Sequence, residues 1–359
     1  MKKKQIIIVI ICILVVVLFI VGLYFYGLTA VSRKSDKVTF TINSGTSTKS
    51  VINDLYEAKI IKSKISTLIY VKLNHNIMIQ AGTYEIDRNK NTKEIFDMLK
   101  SGKVKRDTIT ITFIEGKRVV DYAKLISEKF GYTENDVIEV ISDTEYLQEL
   151  IKKYDFLDNS ILNSDIYYPL EGYLFPATYE FYKNASIKDI IEKMLDKTRN
   201  ILDNIGIALQ ETDYSVHEIL TIASIIENES VGKKADVKYC SGSESEYIDR
   251  FVVSQVIYTR LKDNISLGMD VTTYYGARKA LTEDLYKSDI NAKNAYNTRR
   301  IDFIGLPVGP ISNPSKASID AAINPSDTDC VFFFADVNKM ELHFAKTDGQ
   351  FESIKNLYS

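Results

Sequence analysis

The feature that most constrains this 359-residue chain is a run of 23 residues near its start that contains no charged side chain. Residues 6–28 read IIIVIICILVVVLFIVGLYFYGL, and a helix of that length crosses the hydrocarbon core of a bilayer. Tyr24 and Tyr26 lie near one end, where interfacial aromatic residues are typical. We therefore predict a transmembrane helix over residues 6–28, with residues 1–5 as a cytoplasmic tail and residues 29–37 as a linker.

A cleaved signal peptide is the alternative interpretation, but its apolar core would be shorter, and the small-residue exit near Ala30 is a poor cleavage site. Basic residues flank the segment on both sides, with Lys2, Lys3 and Lys4 before it and Arg33, Lys34 and Lys37 after it. Charge alone therefore does not set the orientation. The short segment before the helix and the large domain after it favour a cytoplasmic N-terminus and an extracytoplasmic domain in the cell membrane.

The charge balance beyond the helix excludes one class of partner. Of the 45 basic residues, five lie in residues 1–34, which contain no acidic residue, so residues 35–359 carry 40 basic and 48 acidic side chains. This excess of acid disfavours nucleic acid as a partner, because phosphate binding requires a basic face.

Histidine and cysteine are scarce, which limits metal and nucleophile chemistry. The three histidines form no ligand-like or triad-like motif: His75, His217 and His343. We therefore predict no metal site and no cofactor. Cys12 lies in the apolar helix, whereas Cys240 and Cys330 can pair in an oxidising compartment.

Strand and helix patterns alternate after the linker without a strict βαβ series, which predicts an α+β fold. No GxGxxG or P-loop pattern occurs, so nucleotide binding is unsupported. Residues 38–104 predict a small first domain with strands at VTFTI and around Gly82. Its predicted helices cover residues 46–58, residues 64–73 and the segment TKEIFDMLKSG, which stops at Gly102.

The remaining residues, 105–359, predict a larger mixed domain. It begins with a strand that ends at Glu115-Gly116, and its early helices are predicted over residues 119–130, 134–153 and 187–203. The segment RFVVSQVIYTRL predicts a later helix. Residues 231–249 are polar and contain glycines and several serines, which indicates an exposed insertion.

Residues 215–230, SVHEILTIASIIENES, predict an amphipathic helix that carries a carboxylate at the end of an apolar stripe. Ser215 and Glu218 form an S-x-x-E capping box at its start. Glu227 lies four residues after the apolar Ala223 and shares its face. Apolar surroundings and the negative end of the helix dipole both favour a protonated carboxyl group, as a general acid requires. The alternative is a half-exposed Glu at the border of the stripe.

Four segments downstream and upstream of this helix carry a family resemblance: LEGYLFPATYEF (170–181), ASIIENES (223–230), SLGMDVTTYYG (266–276) and AYNTRRIDFIGLPVGPISNPSKASIDAAINP (295–325). In this order they resemble the MltG (YceG) family of membrane-anchored endolytic murein transglycosylases. The resemblance also covers the N-terminal helix, the AGTYEI…LKSG stretch typical of the family's LysM-like domain, and the TFIEG junction. It implies a LysM-like domain at 38–104 and a catalytic domain at 105–359.

The resemblance implies that Glu227 is the catalytic residue and that the substrate is the glycan strand of peptidoglycan. The bond cut would be MurNAc-β-1,4-GlcNAc inside a nascent strand, leaving a 1,6-anhydro-MurNAc end. A glycosidase that uses water generally needs two carboxylates, whereas a lytic transglycosylase needs one. Protonated Glu227 would donate to the leaving oxygen and then, ionised, accept the C6 hydroxyl proton. The implied partners are glycan polymerases or penicillin-binding proteins.

Seven further residues match family positions and are predicted to bind substrate or support the site: Glu171, Tyr173, Glu229, Asp270, Tyr296, Asn297 and Thr298. Glu229 points about 200° away from Glu227 around the helix, which favours a salt bridge or a cap. Asp270 could orient the acid or polarise substrate, or form a turn beside Thr272. Asn297 could bind an N-acetyl group or hold Glu227, or form an ordinary turn.

The aromatic and turn residues of these motifs have two interpretations each. Tyr173 and Tyr296 could offer flat faces to sugar rings, although most of the 23 tyrosines must be ordinary packing. Glu171 either lines the cleft or anchors local backbone. Five residues are predicted to form rigid turns along one wall of a groove: Gly305, Pro307, Gly309, Pro310 and Pro314.

The chain departs from the family pattern at several positions around the site. Thr259, Gly268, Val271, Arg299 and Val308 stand where Asn, Gln, Pro, Tyr and Pro are typical. These departures leave Glu227 in place, but they motivate an alternative, a catalytically weak or inactive glycan-binding scaffold of the cell-wall synthesis machinery. A hydrolytic muramidase with Asp270 as its second carboxylate is a further alternative.

Overall fold

The computed structural model describes residues 2–43, 46–74, 78–102, 108–210, 212–244 and 246–358, with side chains for all of these except 2–6 and 206–210. The chain forms two compact units, residues 1–107 and residues 108–359. Each unit contains both helices and small sheets, so the fold is α+β, as the sequence predicts.

The first unit begins with helix α1 (Lys2–Leu28), which contains the apolar run. Its segment Ile7–Leu28 has a mean hydropathy of 3.5, and most of its apolar side chains are exposed. A helix of this length and composition can cross a membrane.

The rest of the first unit is a strand, two helices, a second strand and a third helix: β1 (Lys37–Ile42), α2 (Thr48–Glu57), α3 (Lys64–Leu73), β2 (Gly82–Asp87) and α4 (Thr92–Ser101). β1 and β2 pair antiparallel, and Ile52, Leu55 and Tyr84 are fully buried beneath them. Asn91 caps α4, and Gly102 ends it with a φ of 64°, a left-handed conformation that glycine adopts at little cost.

The second unit contains five strands and ten helices among its described residues. They are β3 (Thr108–Thr112), α5 (Val119–Phe130), α6 (Glu134–Ser142), α7 (Thr144–Lys153), β4 (Thr178–Tyr182), α8 (Ile187–Gln210), α9 (Val216–Glu229), β5 (Asp236–Tyr239), α10 (Asp249–Lys262), α11 (Asp270–Gly276), α12 (Lys287–Ile290), α13 (Lys316–Ile323), β6 (Phe332–Asp336), β7 (Glu341–Ala345) and α14 (Asp348–Tyr358). A 3₁₀ turn covers Asn159–Leu162.

The core of the second unit surrounds α9. Its residues from Ile219 to Ile226 are all buried, and α10, α11 and α13 pack around it. Apolar residues lie on all sides of this helix, which is typical of a helix enclosed by protein on every side. The last turn of α9 therefore emerges from the core with its polar side chains between neighbouring elements.

Two small sheets complete the second unit. β3 and β4 pair antiparallel, with Thr108 opposite Tyr182. The other sheet has the strand order β5-β7-β6, in which β5 is parallel and β6 is antiparallel to the central β7. β6 is therefore an edge strand.

The polar segment 231–249 is mostly accessible to solvent, but it is more than an insertion. It supplies β5 to the three-stranded sheet, and Cys240 at its end forms a disulfide with Cys330, two residues before β6. The sequence alone could not predict that β5 pairs with β7, because β7 lies about a hundred residues further along the chain.

Candidate active site

The last turn of α9 presents two carboxylates to different surroundings. The predicted capping box starts the helix: Ser215 Oγ accepts from Glu218 N at 3.2 Å, and Ser215 N donates to Glu218 Oε2 at 2.8 Å. Glu227 and Glu229 lie two positions apart at the other end, on nearly opposite sides of the helix axis. Their neighbours therefore decide which of them is available for chemistry.

Glu227 lies at the N-terminus of α13. Its Oε2 accepts three hydrogen bonds, from Ser315 N at 3.0 Å, Ser315 Oγ at 2.5 Å and Ser318 Oγ at 2.6 Å. These contacts make Glu227 a cap for the first turn of α13. The pattern of α9 alone could not predict this capping contact, because α13 begins 89 residues further along the chain.

Gly116 packs closely against Glu227. Its φ is 72°, and a Cβ added there would lie 3.4 Å from Glu227 Cγ and 4.0 Å from its Oε1. The TFIEG junction thus provides a glycine where both the backbone conformation and the available space favour one. The close packing and the three serine contacts hold Glu227 in a fixed position.

Glu229 faces the other way and lines a cavity of about 670 Å³. Its side chain is half-buried, and its Oε1 atom is buried without a hydrogen-bond partner in the described structure. Burial raises the pKa of Glu229 to about 7, and the Asp270 carboxylate adds to this rise. The Val271 N–H and the guanidinium groups of Arg299 and Arg260 act in the opposite direction. Glu229 can therefore hold a proton near neutral pH.

The cavity around Glu229 is built from three parts of the second unit. Its remaining lining residues are Arg260, Leu267, Gly268, Met269, Asp270, Arg299, Phe332, Phe333, Phe334, Ala335, Phe351 and Lys355. Aromatic rings and charged groups both line this cavity, which suits an amphipathic ligand.

Two arginines are held in fixed positions beside Glu229. Arg260 donates from Nε to Val331 O at 2.8 Å and from Nη1 to Leu267 O at 2.8 Å, and it stacks over the Phe332 ring. Arg299 forms an ion pair with Asp270. Two of the positions at which the chain departs from the family pattern, Gly268 and Arg299, line this cavity.

Three of the predicted site residues directly precede Arg299 and are buried: Tyr296, Asn297 and Thr298. They support the loop that contains Arg299 from behind. Asn297 Oδ1 accepts from Thr273 Oγ1 at 2.8 Å, and its Nδ2 donates to the carbonyls of Ile290 and Ala292 at 2.9 and 2.8 Å. These contacts occupy the amide, so in this structure Asn297 orders its own loop and contacts neither Glu227 nor the cavity.

The predicted aromatic platforms are also buried. Tyr296 packs within 5 Å of the Tyr167 and Tyr275 rings, measured between centroids. The Tyr173 hydroxyl lies 2.8 Å from His217 Nδ1, and His217 Nε2 lies 2.9 Å from Val308 O. Because both rings are fully buried, they pack in the core and present no face to a sugar.

Glu171 is a buried anchor that joins separate parts of the chain. Its Oε1 accepts from Val119 N at 2.9 Å and Asn313 Nδ2 at 3.1 Å, and its Oε2 accepts from Tyr275 Oη at 3.1 Å. Burial raises the pKa of Glu171 to about 8, and the Val119 and Tyr275 hydrogen bonds oppose that rise.

Asn313, a residue that the sequence motifs did not single out, completes this anchor. Its Oδ1 accepts from Gly172 N at 3.0 Å and Leu174 N at 3.1 Å, and its Nδ2 also donates to Lys117 O at 3.1 Å. Asn313 thereby ties the EGYLF segment to the TFIEG junction. The available signal was an Asn before Pro314 within a matched motif, which the sequence analysis interpreted as turn shape alone.

The stability of the second unit should depend on pH through Glu171. Its pKa is near 4.5 when unfolded and about 8 when folded, so the folded state binds the extra proton between these values. Stability should therefore fall as pH rises through this window and level off above it. Glu171→Gln, a neutral residue of the same shape, should remove this loss. Urea midpoints of both proteins at several pH values measure it. A constant difference between them would contradict the assignment.

Comparisons with known proteins agree with the sequence motifs. The profile of the YceG-like family matches residues 40–356. A Bacillus subtilis (strain 168) protein named "Endolytic murein transglycosylase" is 33% identical over 347 residues, which cover 95% of this chain and 91% of the relative. A Streptococcus pneumoniae protein of the same name is 26% identical over 86% of this chain, which spans just over half (56%) of that relative.

A solved structure shows the same fold. The crystal structure of a YceG-like protein from Listeria monocytogenes superposes with a TM-score of 0.61 at 29% identity, over 89% of this chain and 100% of that one. The family profile alone covers well over half of the sequence. The chain therefore belongs to the YceG-like family.

Proposed function

We propose that this chain is an endolytic murein lytic transglycosylase that acts through Glu229. Its family and its relatives named endolytic murein transglycosylase support an enzyme of that class. The observation that carries the choice of residue is the Glu229 carboxyl group, which lines a cavity with one oxygen buried and without a partner. Such a group can hold a proton in position for transfer.

The chemistry needs one carboxyl group that exchanges a single proton. Protonated Glu229 donates its proton to the glycosidic oxygen that leaves C1 of MurNAc, and the sugar becomes oxocarbenium-like. Ionised Glu229 then accepts the proton of the C6 hydroxyl, which closes onto C1 to give the 1,6-anhydro end. A pKa near ambient pH suits a group that must both give and take a proton.

The neighbours of Glu229 set its proton affinity. Asp270 disfavours the ionised form after the first transfer, whereas Arg299 and Arg260 stabilise it. Glu227 takes the structural role that the sequence analysis gave to Glu229, because its carboxylate caps α13. The two acids of the ENE segment thus exchange the roles predicted for them.

The mass of the products tests the reaction type. Purified protein incubated with murein strands should release fragments with 1,6-anhydro-MurNAc ends, each lighter by one water than a reducing end. Reducing ends instead would indicate a hydrolytic muramidase with Asp270 as second carboxylate. The ion pair between Asp270 and Arg299 argues against that alternative. No cleavage by wild type would favour the non-catalytic glycan-binding scaffold.

The pH dependence of kcat/KM should follow Glu229. The first step requires the protonated acid, so kcat/KM should fall as pH rises through about 7. Asp270→Asn removes a charge that raises the pKa of Glu229 and should move this fall to lower pH. Arg299→Gln removes an opposing charge and should move it to higher pH. Shifts in the same direction for both variants would contradict the assignment.

We also propose where the chain acts and what it works with. α1 anchors the chain in the cell membrane with its N-terminus in the cytoplasm, and the second unit acts on the extracytoplasmic side. Residues 38–104 act as a LysM-like glycan-binding domain, supported by their compact strand–helix–helix–strand order. Glycan polymerases or penicillin-binding proteins supply nascent strands, and neither a metal nor a cofactor takes part.

A further inference from the structure

The wall of the cavity facing Glu229 includes the edge strand β6. Four successive residues of this strand line the cavity, from Phe332 to Ala335. Successive side chains of a strand point to opposite faces of its sheet, so a cavity that touches four in a row meets the strand along its edge. The cavity therefore borders backbone as well as aromatic rings.

The edge that borders the cavity is open to a further partner. In the part of the chain that the structure describes, β6 pairs with β7 on one side and with no strand on the other. The unpaired N–H and C=O groups of an edge strand bind extended peptide chains. Phe332, Phe333 and Phe334 are each partly exposed beside this edge and can contact apolar side chains of such a peptide.

The chemistry of murein places a peptide beside the bond that is cut. The peptide stem is attached through the lactyl group on C3 of MurNAc, and the scissile bond leaves C1 of the same sugar. When Glu229 reaches that bond, the stem must therefore lie a few bonds away, within or along the same cavity. A glycan strand alone carries no such peptide.

The charge of the wall suits a peptide with free carboxylates. Lys355 on α14 lines the cavity with an exposed side chain, and its ion pair with Glu352 is long at 3.6 Å and lies in solvent. Exposed pairs of this kind contribute little and exchange easily. Arg260 is occupied by backbone carbonyls, and Arg299 forms a much closer ion pair with Asp270 than Lys355 forms with Glu352. Lys355 is therefore the cation best placed for a new anion.

We propose, on the basis of the proposed function, that the β6 edge and Lys355 bind the peptide stem of murein and make this chain selective for peptide-bearing glycan strands. The stem accepts and donates one or two main-chain hydrogen bonds at the edge, because its γ-linked D-Glu interrupts the regular spacing of a strand. Lys355 binds a free carboxylate of the stem.

A binding measurement tests this without any cleavage. The probe is the soluble pentapeptide L-Ala-γ-D-Glu-L-Lys-D-Ala-D-Ala, titrated into the full chain in detergent. Lys355→Glu should weaken binding of the peptide about tenfold, because the attraction between Lys355 and the peptide carboxylate, partly screened by solvent, becomes a repulsion. Lys124→Glu, an exposed lysine on α5, is the matched control and should leave binding unchanged. No binding by wild type, or equal losses in both variants, would overturn the proposal.

Two further comparisons separate the parts of the proposal. The same peptide with its amides N-methylated should bind at least about tenfold more weakly if the edge donates and accepts hydrogen bonds; equal binding rejects the edge. Wild type should cleave peptide-bearing strands with a higher kcat/KM than strands stripped of peptide, and Lys355→Glu should narrow that difference. Equal rates on both substrates would reject the selectivity. Cleavage of neither substrate would reject the proposed enzyme, while the peptide titration would still decide this site.

Discussion

Replacing Glu229 with Gln is expected to reduce cleavage of murein strands by a hundredfold to ten-thousandfold, about the range that a positioned general acid contributes. Gln keeps the shape of the side chain but cannot donate the proton that the leaving oxygen needs. Since the Glu229 Oε1 atom has no partner in the described structure, the replacement should disturb few folded-state contacts. The measurement is the rate of anhydro-end formation by purified protein, with urea midpoints to confirm equal folding.

Glu227→Gln is the matched control, because the same change is made two residues away. It places an amide where three donors meet a carboxylate, so we expect a loss of about 1–3 kcal/mol in the free energy of unfolding. Its rate per folded molecule should stay within about tenfold of wild type. If Glu227→Gln removes activity at normal stability while Glu229→Gln still cleaves, Glu227 is the acid, as the sequence argument predicts.

Replacing Asn313 with Ala is expected to lower the free energy of unfolding by about 3–5 kcal/mol. The side chain satisfies the buried N–H groups of Gly172 and Leu174 and donates to Glu171 and to Lys117 O. Ala would leave the N–H groups of Gly172 and Leu174 without an acceptor at a fully buried position. Glu171 would keep its hydrogen bond from Val119 N, and Lys117 O would keep the one from the backbone Asn313 N. The cost of unsatisfied buried polar groups exceeds that of a lost surface hydrogen bond severalfold.

Denaturant unfolding of the two proteins measures this loss, followed by a probe of the second unit. Asn324→Ala is a suitable control, because that side chain is exposed at the end of α13 and its hydrogen bonds run to Asp320 of that helix. We expect the control to change the free energy of unfolding by about 0.5 kcal/mol or less. A similar effect of both replacements would show that Asn313 is not the anchor described.

Local signals in the sequence predicted many of the helices well. The Ser215 cap, the Gly102 stop and the periodic apolar residues of α9 all act within a few residues, and the structure has helices where these signals place them. The boundaries of α3 and α5 also agree with the predicted ones. Such features depend on backbone chemistry that a short window of sequence contains.

The division of labour between Glu227 and Glu229 could not be predicted in the same way. Both lie on the last turn of one helix, so helix position alone does not separate them. Glu227 contacts the N-terminus of α13, whereas Glu229 lies beside Asp270 and in the same cavity as β6. All of these neighbours come from distant parts of the chain. The burial of Tyr173 and Tyr296 likewise depends on tertiary packing.

The cross-link between Cys240 and Cys330 has a practical consequence for anyone who makes this protein. It closes a loop of 90 residues, a constraint on the unfolded chain that corresponds to about 4–5 kcal/mol. Cells with a reducing cytosol would leave both thiols free, so material expressed there would lack the covalent link between the end of β5 and the start of β6. Batches prepared by secretion and batches prepared inside the cell would then be different starting materials for any kinetic comparison.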